Sequence, residues 1–199
     1  MLPMVGRGMS MGERLFRARQ GGKTDDHGRL HPYPSDEMGA PPADRCPSGR
    51  ANSRGIPVLY TASDIATAVA EIRPWKGAPV TVADVILNNG ARVVDLVDIP
   101  GLESPFGREN LKADLDSLEM LGALGHQLSQ PVAPTDAELE YVPTQYLAEL
   151  IRHSGYDGIR YPSALGPGAN VVLFDPTSAT IANARLVRVT NVVYTTMED

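Results

Sequence analysis

The chain has little of what several large classes of protein require. It contains one cysteine, Cys46, in 199 residues, which excludes an internal disulfide framework and a cysteine-based zinc site. Its four histidines, His27, His31, His126 and His153, are scattered without metal-ligand spacing, so no metal is expected. No apolar run approaches the roughly 20 residues that span a bilayer. Residues 1–16 lack the apolar centre of a secretory signal. A cytoplasmic protein with no membrane partner is the expectation. No glycine-rich turn joins a strand to a long crossover helix, which excludes a Rossmann fingerprint and a P-loop. There is no nucleophile elbow and no histidine spaced as a base, so no serine reads as a nucleophile. Positive charge is short as well. The formal net charge is −6, with +3 over residues 1–56 and −9 over the rest. An acidic body argues against direct nucleic-acid binding, which needs a basic face to release phosphate counterions. The arginines of the first quarter could instead serve one small anionic ligand.

What is present is ordinary globular usage, 42% hydrophobic and 21% charged, in a length that suits one domain. Nineteen glycines and 17 prolines mark a chain rich in turns. Residues 1–14 read as a flexible leader and 15–199 as one domain. Leu15–Arg19 alternates apolar and basic residues and reads as a short strand. Residues 20–56, full of glycine and proline, read as a long loop, which in a compact domain is often functional. Val58–Tyr60 is an apolar strand running into Ser63-Asp64, a good N-cap pair. Ile65, Ala68, Val69 and Ile72 then mark a helix with one buried stripe, ended by Pro74. Val80–Leu87 and Val93–Ile99 read as strands of a hairpin turned by Asn88-Asn89-Gly90. Glu109–Leu124 reads as a helix with Leu111, Leu115, Leu118 and Leu121 on one face. A proline-rich loop at 129–143 precedes a helix capped by Thr144 and stopped by Gly155. Ile159–Pro162, Asn170–Phe174 and Leu186–Tyr194 read as strands. This order predicts an α+β domain with a mainly antiparallel sheet.

Several polar residues could carry chemistry. Arg17 lies inside an apolar strand whose neighbours Phe16 and Ala18 point to the opposite face, a rigid mount for a fork that grips phosphate or carboxylate. It equally fits an edge-strand charge facing water. Tyr60 ends a strand just before a helix, where it could stack on a planar ring and donate a hydrogen bond, or simply complete the core. Glu71 shares a helical line with Thr67 and Ala68, offset from the apolar stripe. There it could stabilise an oxocarbenium-like transition state or hold a ribose hydroxyl, or pair with Arg73 or Lys76 in solvent. Ser163 and Asn170 bracket a loop whose Gly166, Pro167 and Gly168 could let the backbone approach a ligand. An ordinary turn would look the same.

Taken together, these segments are far more specific than any one of them. Gly49–Tyr60 (GRANSRGIPVLY) followed by Thr67–Pro74 (TAVAEIRP), then Tyr141–Glu149 (YVPTQYLAE), Gly155–Ala164 (GYDGIRYPSA) and Asn170–Phe174 (NVVLF) resemble the signature of the RES-domain family. The strand with Arg17 resembles the family's early arginine. The likeness is strongest over residues 13–176. The resemblance implies an ADP-ribosyltransferase-like fold. It also implies an enzyme that degrades NAD by cleaving its nicotinamide–ribose bond, as a glycohydrolase with water or a phosphorylase with inorganic phosphate as co-substrate. NAD is then the substrate, with no true cofactor. The family's arginine, glutamate and serine fall on Arg17, Glu71 and Ser163. Tyr60 is a further pocket residue, Arg50 of the GRAN turn is a second arginine for the ligand, and Asn170 is a further binding residue. The resemblance implies the toxin of a toxin–antitoxin pair, blocked by an Xre-type helix-turn-helix antitoxin at a cleft mouth bearing Arg17, Arg50 and Arg54. Two other readings share the pocket: a transferase that attaches ADP-ribose to a macromolecule, and a catalytically silent NAD-binding module. The chain departs from the family pattern at Ala18, where a larger residue is usual, at Ser53-Arg54, where prolines are usual, and in the longer loop 20–48.

Overall fold

The computed structural model describes residues 6–99, 110–130 and 140–193. In chain order its strands are β1 (Gly6–Met9), β2 (Arg14–Gln20), β3 (Lys23–Thr24), β4 (Leu30–His31), β5 (Leu59–Ala62), β6 (Pro79–Leu87), β7 (Ala91–Asp95), β8 (Gly158–Pro162), β9 (Ala169–Leu173) and β10 (Ala179–Arg188). Its helices are α1 (Ile65–Glu71), α2 (Leu111–Ser129) and α3 (Val142–His153). Eight strands form one sheet in the order β1-β7-β8-β9-β5-β2-β6-β10, and β3 with β4 forms a small separate ribbon. The pairing of β7 with β8 is parallel, and the other pairings among the described strands are antiparallel. The α+β class with a mainly antiparallel sheet is as expected.

The expected hairpin at Asn88-Asn89-Gly90 does not form. β6 is paired along one edge by β2 and along the other by β10, so no edge is left for β7. β7 pairs instead with β1 and β8 at the far end of the sheet order. Three residues can bridge the two ends only because the sheet curls strongly. The Asn88 amide donates to the Ser178 carbonyl, and the Thr180 hydroxyl donates to Asn88 Oδ1, fastening the link to the start of β10. Inside the curl, Met9, Leu15, Leu59, Val85, Leu87, Val93, Val171 and Leu173 pack as one buried cluster. A second cluster, including Val94, Ile159, Tyr161 and Val172, receives Leu121, Leu124 and Leu128 of α2 and Ala148 and Ile151 of α3.

Other boundaries moved for identifiable reasons. The expected leader is not free over residues 6–14: Gly6–Met9 pairs with Ala91–Val94 and Met9 is buried, because β7 offers an edge that the hairpin left open. The buried face of α1 carries Thr67 and Ala68, while Ile65 is exposed. Of the apolar stripe read from the sequence, Ala68 is buried, Val69 and Ile72 are partly buried and Ile65 is exposed, so the buried face is turned toward Thr67. In α2 the buried leucines are Leu121, Leu124 and Leu128, and Leu115 is half exposed, so the helix packs through its C-terminal half. Thr144 lies inside α3 rather than capping it. The loop 20–56 contains the β3–β4 ribbon and two short 3-10 turns, Ser35–Met38 and Ala43–Arg45. The last strand starts earlier than expected and ends at Arg188. Most of the proline-rich loop at 129–143 and the end of the chain past Val193 lie outside the described residues.

Candidate active site

The site opens where two neighbouring strands part. β2 and β5 share one register pair, Phe16 with Ala62. Beyond it Arg17 and Ala18 diverge from Thr61 and Tyr60, and a cavity of about 310 Å³ lies in the split, lined by these residues together with Glu71, Tyr161 and Asn170. Arg17 Nη1 crosses the split to donate to the Tyr60 carbonyl oxygen at 2.8 Å, supplying a partner that a continuing ladder would have given. Burial, reinforced by repulsion from Arg19, pulls the Arg17 pKa below its ordinary value, yet a guanidinium stays charged in a protein. Among the described residues Arg17 has no carboxylate partner. A half-buried cation without a counterion favours an anionic ligand.

Glu71 faces the same cavity from the last turn of α1. A seven-residue helix is too short to persist alone, and two devices hold this one. Asp64 caps it, accepting from the Thr67 amide at 2.8 Å and the Thr67 hydroxyl at 2.8 Å. Burial alone would raise the Asp64 pKa, but these hydrogen bonds outweigh it and hold it below the usual carboxylate value. The loop 163–168 then lies directly on the helix. A Cβ at Gly168 would sit 2.0 Å from Asp64 Oδ2 and one at Gly166 would sit 2.5 Å from Thr67 Cα, so only glycine fits. These glycines bring the backbone close to α1.

That contact carries Ser163 to Glu71. Ser163 Oγ donates to Glu71 Oε1 at 2.6 Å and accepts from the amides of Leu165 and Gly166 at 3.1 and 2.9 Å. Asn170 Nδ2 donates to the same carboxylate oxygen at 2.7 Å. Oε1 is thus fixed by two donors, while Oε2 has no hydrogen bond among the described residues. Glu71 therefore does not pair with Arg73 or Lys76. Ser163 does not line the cavity and is linked to it through its hydrogen bond to Glu71; Asn170 both hydrogen-bonds Glu71 and lines the wall.

Tyr60 lines the cavity, but its hydroxyl is engaged elsewhere. It accepts from the Ala51 amide at 2.9 Å and donates to Asn52 Oδ1 at 2.8 Å, and burial raises its pKa strongly. The donor expected for a ligand is a fastener of the 49–52 turn. Arg50 is corrected in the same way. Its Nη1 and Nη2 donate to the carbonyls of Leu128 and Gln130 at 2.5 and 2.7 Å, closing the C-terminal end of α2, and it does not line the cavity. Arg54 is exposed and also lies outside the lining, so of the three arginines expected at the cleft mouth the structure puts Arg17 there.

Two features escaped the sequence. Asn52, buried, donates through Nδ2 to the carbonyls of Pro47 and Ser53 while it holds Tyr60. Its place within the GRAN turn was the available signal. The other is an adjoining cavity of about 670 Å³ that shares Arg17, Ala18 and Ile72 with the first and is walled by Asp36–Glu37, Gly39–Pro42 and Arg45. The wall belongs to the long loop, and Ala18 lines both cavities.

Comparison with known proteins adds three findings. A sequence model of the RES domain matches residues 14–193. A search of curated proteins finds no match. Among solved structures, the chain resembles one from the crystal structure of the M. tuberculosis MbcT–MbcA toxin–antitoxin complex, with a TM-score of 0.47 and 14% identity over 92% of this chain and 87% of that chain.

Proposed function

We propose that this chain, which belongs to the RES-domain family, binds NAD across the two cavities that share Arg17, Ala18 and Ile72 and breaks the nicotinamide–ribose bond. The observation that carries the reading is the opposition of an unpaired guanidinium, Arg17, and a fixed carboxylate, Glu71, across one cavity. NAD presents both complements: an anionic pyrophosphate for Arg17 and, on cleavage, a ribose that becomes cationic for Glu71.

The nicotinamide ring is already a cation, so it leaves as a neutral molecule with the bonding pair and needs no general acid. Positive charge grows on the ribose C1′ and ring oxygen. Glu71 has Oε1 held by Ser163 and Asn170 and Oε2 available, so it presents its charge without reorganising, the arrangement that lowers such a barrier most. Arg17 holds the pyrophosphate, Tyr60 supplies part of the wall, and the cavity beside Ala18 gives room for the adenosine half. Water or inorganic phosphate then bonds C1′ and releases a proton, giving ADP-ribose or its 1″-phosphate. The same reading makes the chain a cytoplasmic toxin restrained by an Xre-type antitoxin. Among the described residues no helix is long and apolar enough to cross a membrane.

The test is incubation of the purified chain with NAD, with and without phosphate, and chromatographic separation of nicotinamide, ADP-ribose and its phosphate. Release of nicotinamide supports the reading. Intact NAD, or label transferred to protein or nucleic acid, overturns it. Expression alone should arrest bacterial growth, with rescue by an Xre-type partner encoded beside it. Unimpeded growth at good soluble expression, with cellular NAD unchanged, counts against the toxin role.

A further inference from the structure

Two tyrosines line the cavity, and they differ in what their hydroxyls do. Tyr60 Oη has both a donor and an acceptor within the protein. Tyr161, on β8, is 3% exposed, and its hydroxyl makes no hydrogen bond among the described residues. A buried phenol normally finds a partner. No fully enclosed side-chain oxygen or nitrogen is left unpaired among the described residues, so the Tyr161 oxygen touches open space, and the cavity is the space that Tyr161 lines. Burial raises its pKa well above the ordinary phenol value, and the negative charge of Glu71 adds to the effect. The group is therefore a neutral hydroxyl near Glu71, able to donate and to accept.

We propose that the Tyr161 hydroxyl is a substrate-binding group that hydrogen-bonds a ribose hydroxyl of the sugar held over Glu71. This rests on the reading of the cavity as an NAD site. The chemistry selects the ligand group. Glu71 Oε2 can only accept, Arg17 can only donate, and the Asn170 amide nitrogen is already turned to Glu71. A sugar hydroxyl does both, and the neutral Tyr161 phenol is the cavity group that can meet it in either sense. The sheet fixes the position of the hydroxyl: Arg160 and Tyr161 pair in register with Val171 and Asn170 of β9, so Tyr161 is held beside the residue that braces Glu71.

The experiment compares Tyr161→Phe with Tyr60→Phe. NAD affinity is measured by calorimetry with Glu71→Gln in every protein so that substrate persists. Thermal unfolding is measured on the single variants. Tyr161→Phe should leave the unfolding midpoint unchanged, since no internal hydrogen bond is lost, whereas Tyr60→Phe should lower it. Tyr161→Phe should weaken NAD binding by about five- to ten-fold, the worth of one neutral hydrogen bond. NAD analogues lacking the 2′- or the 3′-hydroxyl of the nicotinamide-side ribose supply the second arm. One of them should bind the parent more weakly by the same factor and lose nothing further in Tyr161→Phe. Unchanged NAD affinity in Tyr161→Phe, a full analogue penalty that persists in it, or a drop in stability like that of Tyr60→Phe overturns the assignment and leaves the NAD site standing. Absence of NAD binding by the parent protein overturns the site and the assignment together.

Discussion

The turn at 49–52 and the loop at 163–168 look alike in sequence, each a short polar stretch with glycine beside an arginine or serine that could face a ligand. In the fold both are fastened inward and neither lines the cavity, but one of them holds the carboxylate that does. The turn is tied by Tyr60 Oη, by Arg50 to the end of α2, and by Gln145 Nε2 to the Ser48 hydroxyl and Gly49 carbonyl. One of these bonds ends on a wall residue of the cavity, Tyr60, and none ends on Arg17 or Glu71. The loop is tied to α1 through Thr67 and Ser63, whose hydroxyl oxygens accept from the amides of Gly168 and Ala169, and one further bond continues through Ser163 to the carboxylate in the cavity. The difference teaches that polarity and glycine mark a fastening point, and that the group at the far end of the chain of bonds decides whether it matters for chemistry.

This contrast can be broken from either side. The largest effect should come from Glu71→Gln, which keeps the shape and removes the charge. A rate loss of about 10²-fold or more is expected if that charge is worth ~3 kcal/mol, with the unfolding midpoint retained; turnover within a few-fold of the parent would make Glu71 a wall residue only. Next, Arg17→Ala should weaken NAD binding by more than about ten-fold and Arg17→Lys by less, since a point charge keeps the attraction and loses the fork; equal affinity in calorimetry would remove Arg17 from the site. Ser163→Ala should lower kcat by about ten-fold with little change in KM, because it frees Glu71 without touching substrate. A change confined to KM would place Ser163 on the ligand instead. On the turn side, Arg50→Ala should cost about 2 kcal/mol of stability and alter NAD affinity by less than about three-fold. Loss of affinity without loss of stability would erase the contrast between turn and loop.

The smallest effect concerns neither region and serves as a background. Burial would raise the Asp84 pKa, but hydrogen bonds from Arg185 and Asn183 outweigh it and hold it below the ordinary 3.8. A carboxylate depressed in the folded state contributes stability above its unfolded value and loses it as pH falls through the folded one. Stability should therefore decline below about pH 4 in the parent and less steeply in Asp84→Asn, read by denaturant titration.

The Arg17 strand and the Glu71 helix were legible because each rests on a short local pattern: alternation around Leu15–Arg19, and an N-cap before a helical repeat. Their meeting across a split between strands was not, since the split depends on where β2 stops pairing with β5. The engagement of Arg50 with α2 is hidden in the sequence for a related reason. Its targets lie 78 and 80 residues away, and no spacing within the GRAN turn points to them. The Asn88-Asn89-Gly90 signal was locally sound and lost to tertiary competition, because both edges of β6 were taken by strands far along the chain. Tyr161 lies inside the GYDGIRYPSA motif with nothing local to single it out. Its significance lies in a hydrogen bond that the fold does not make, and a sequence holds no sign of that.

β10 stands at the end of the sheet order and is the longest of the described strands, which would make it an open template for another chain's backbone. Its register breaks between Ala182 and Arg185, where Asn183 takes a left-handed φ of 50°. Arg185 is drawn onto Asp84, and Arg188 Nη1 onto the Gly77 carbonyl. A strand approaching that edge would meet a kink instead of a continuous row of amides. The bulge thus makes the outermost strand a poor template for edge-to-edge stacking, a consequence that has nothing to do with the cavity.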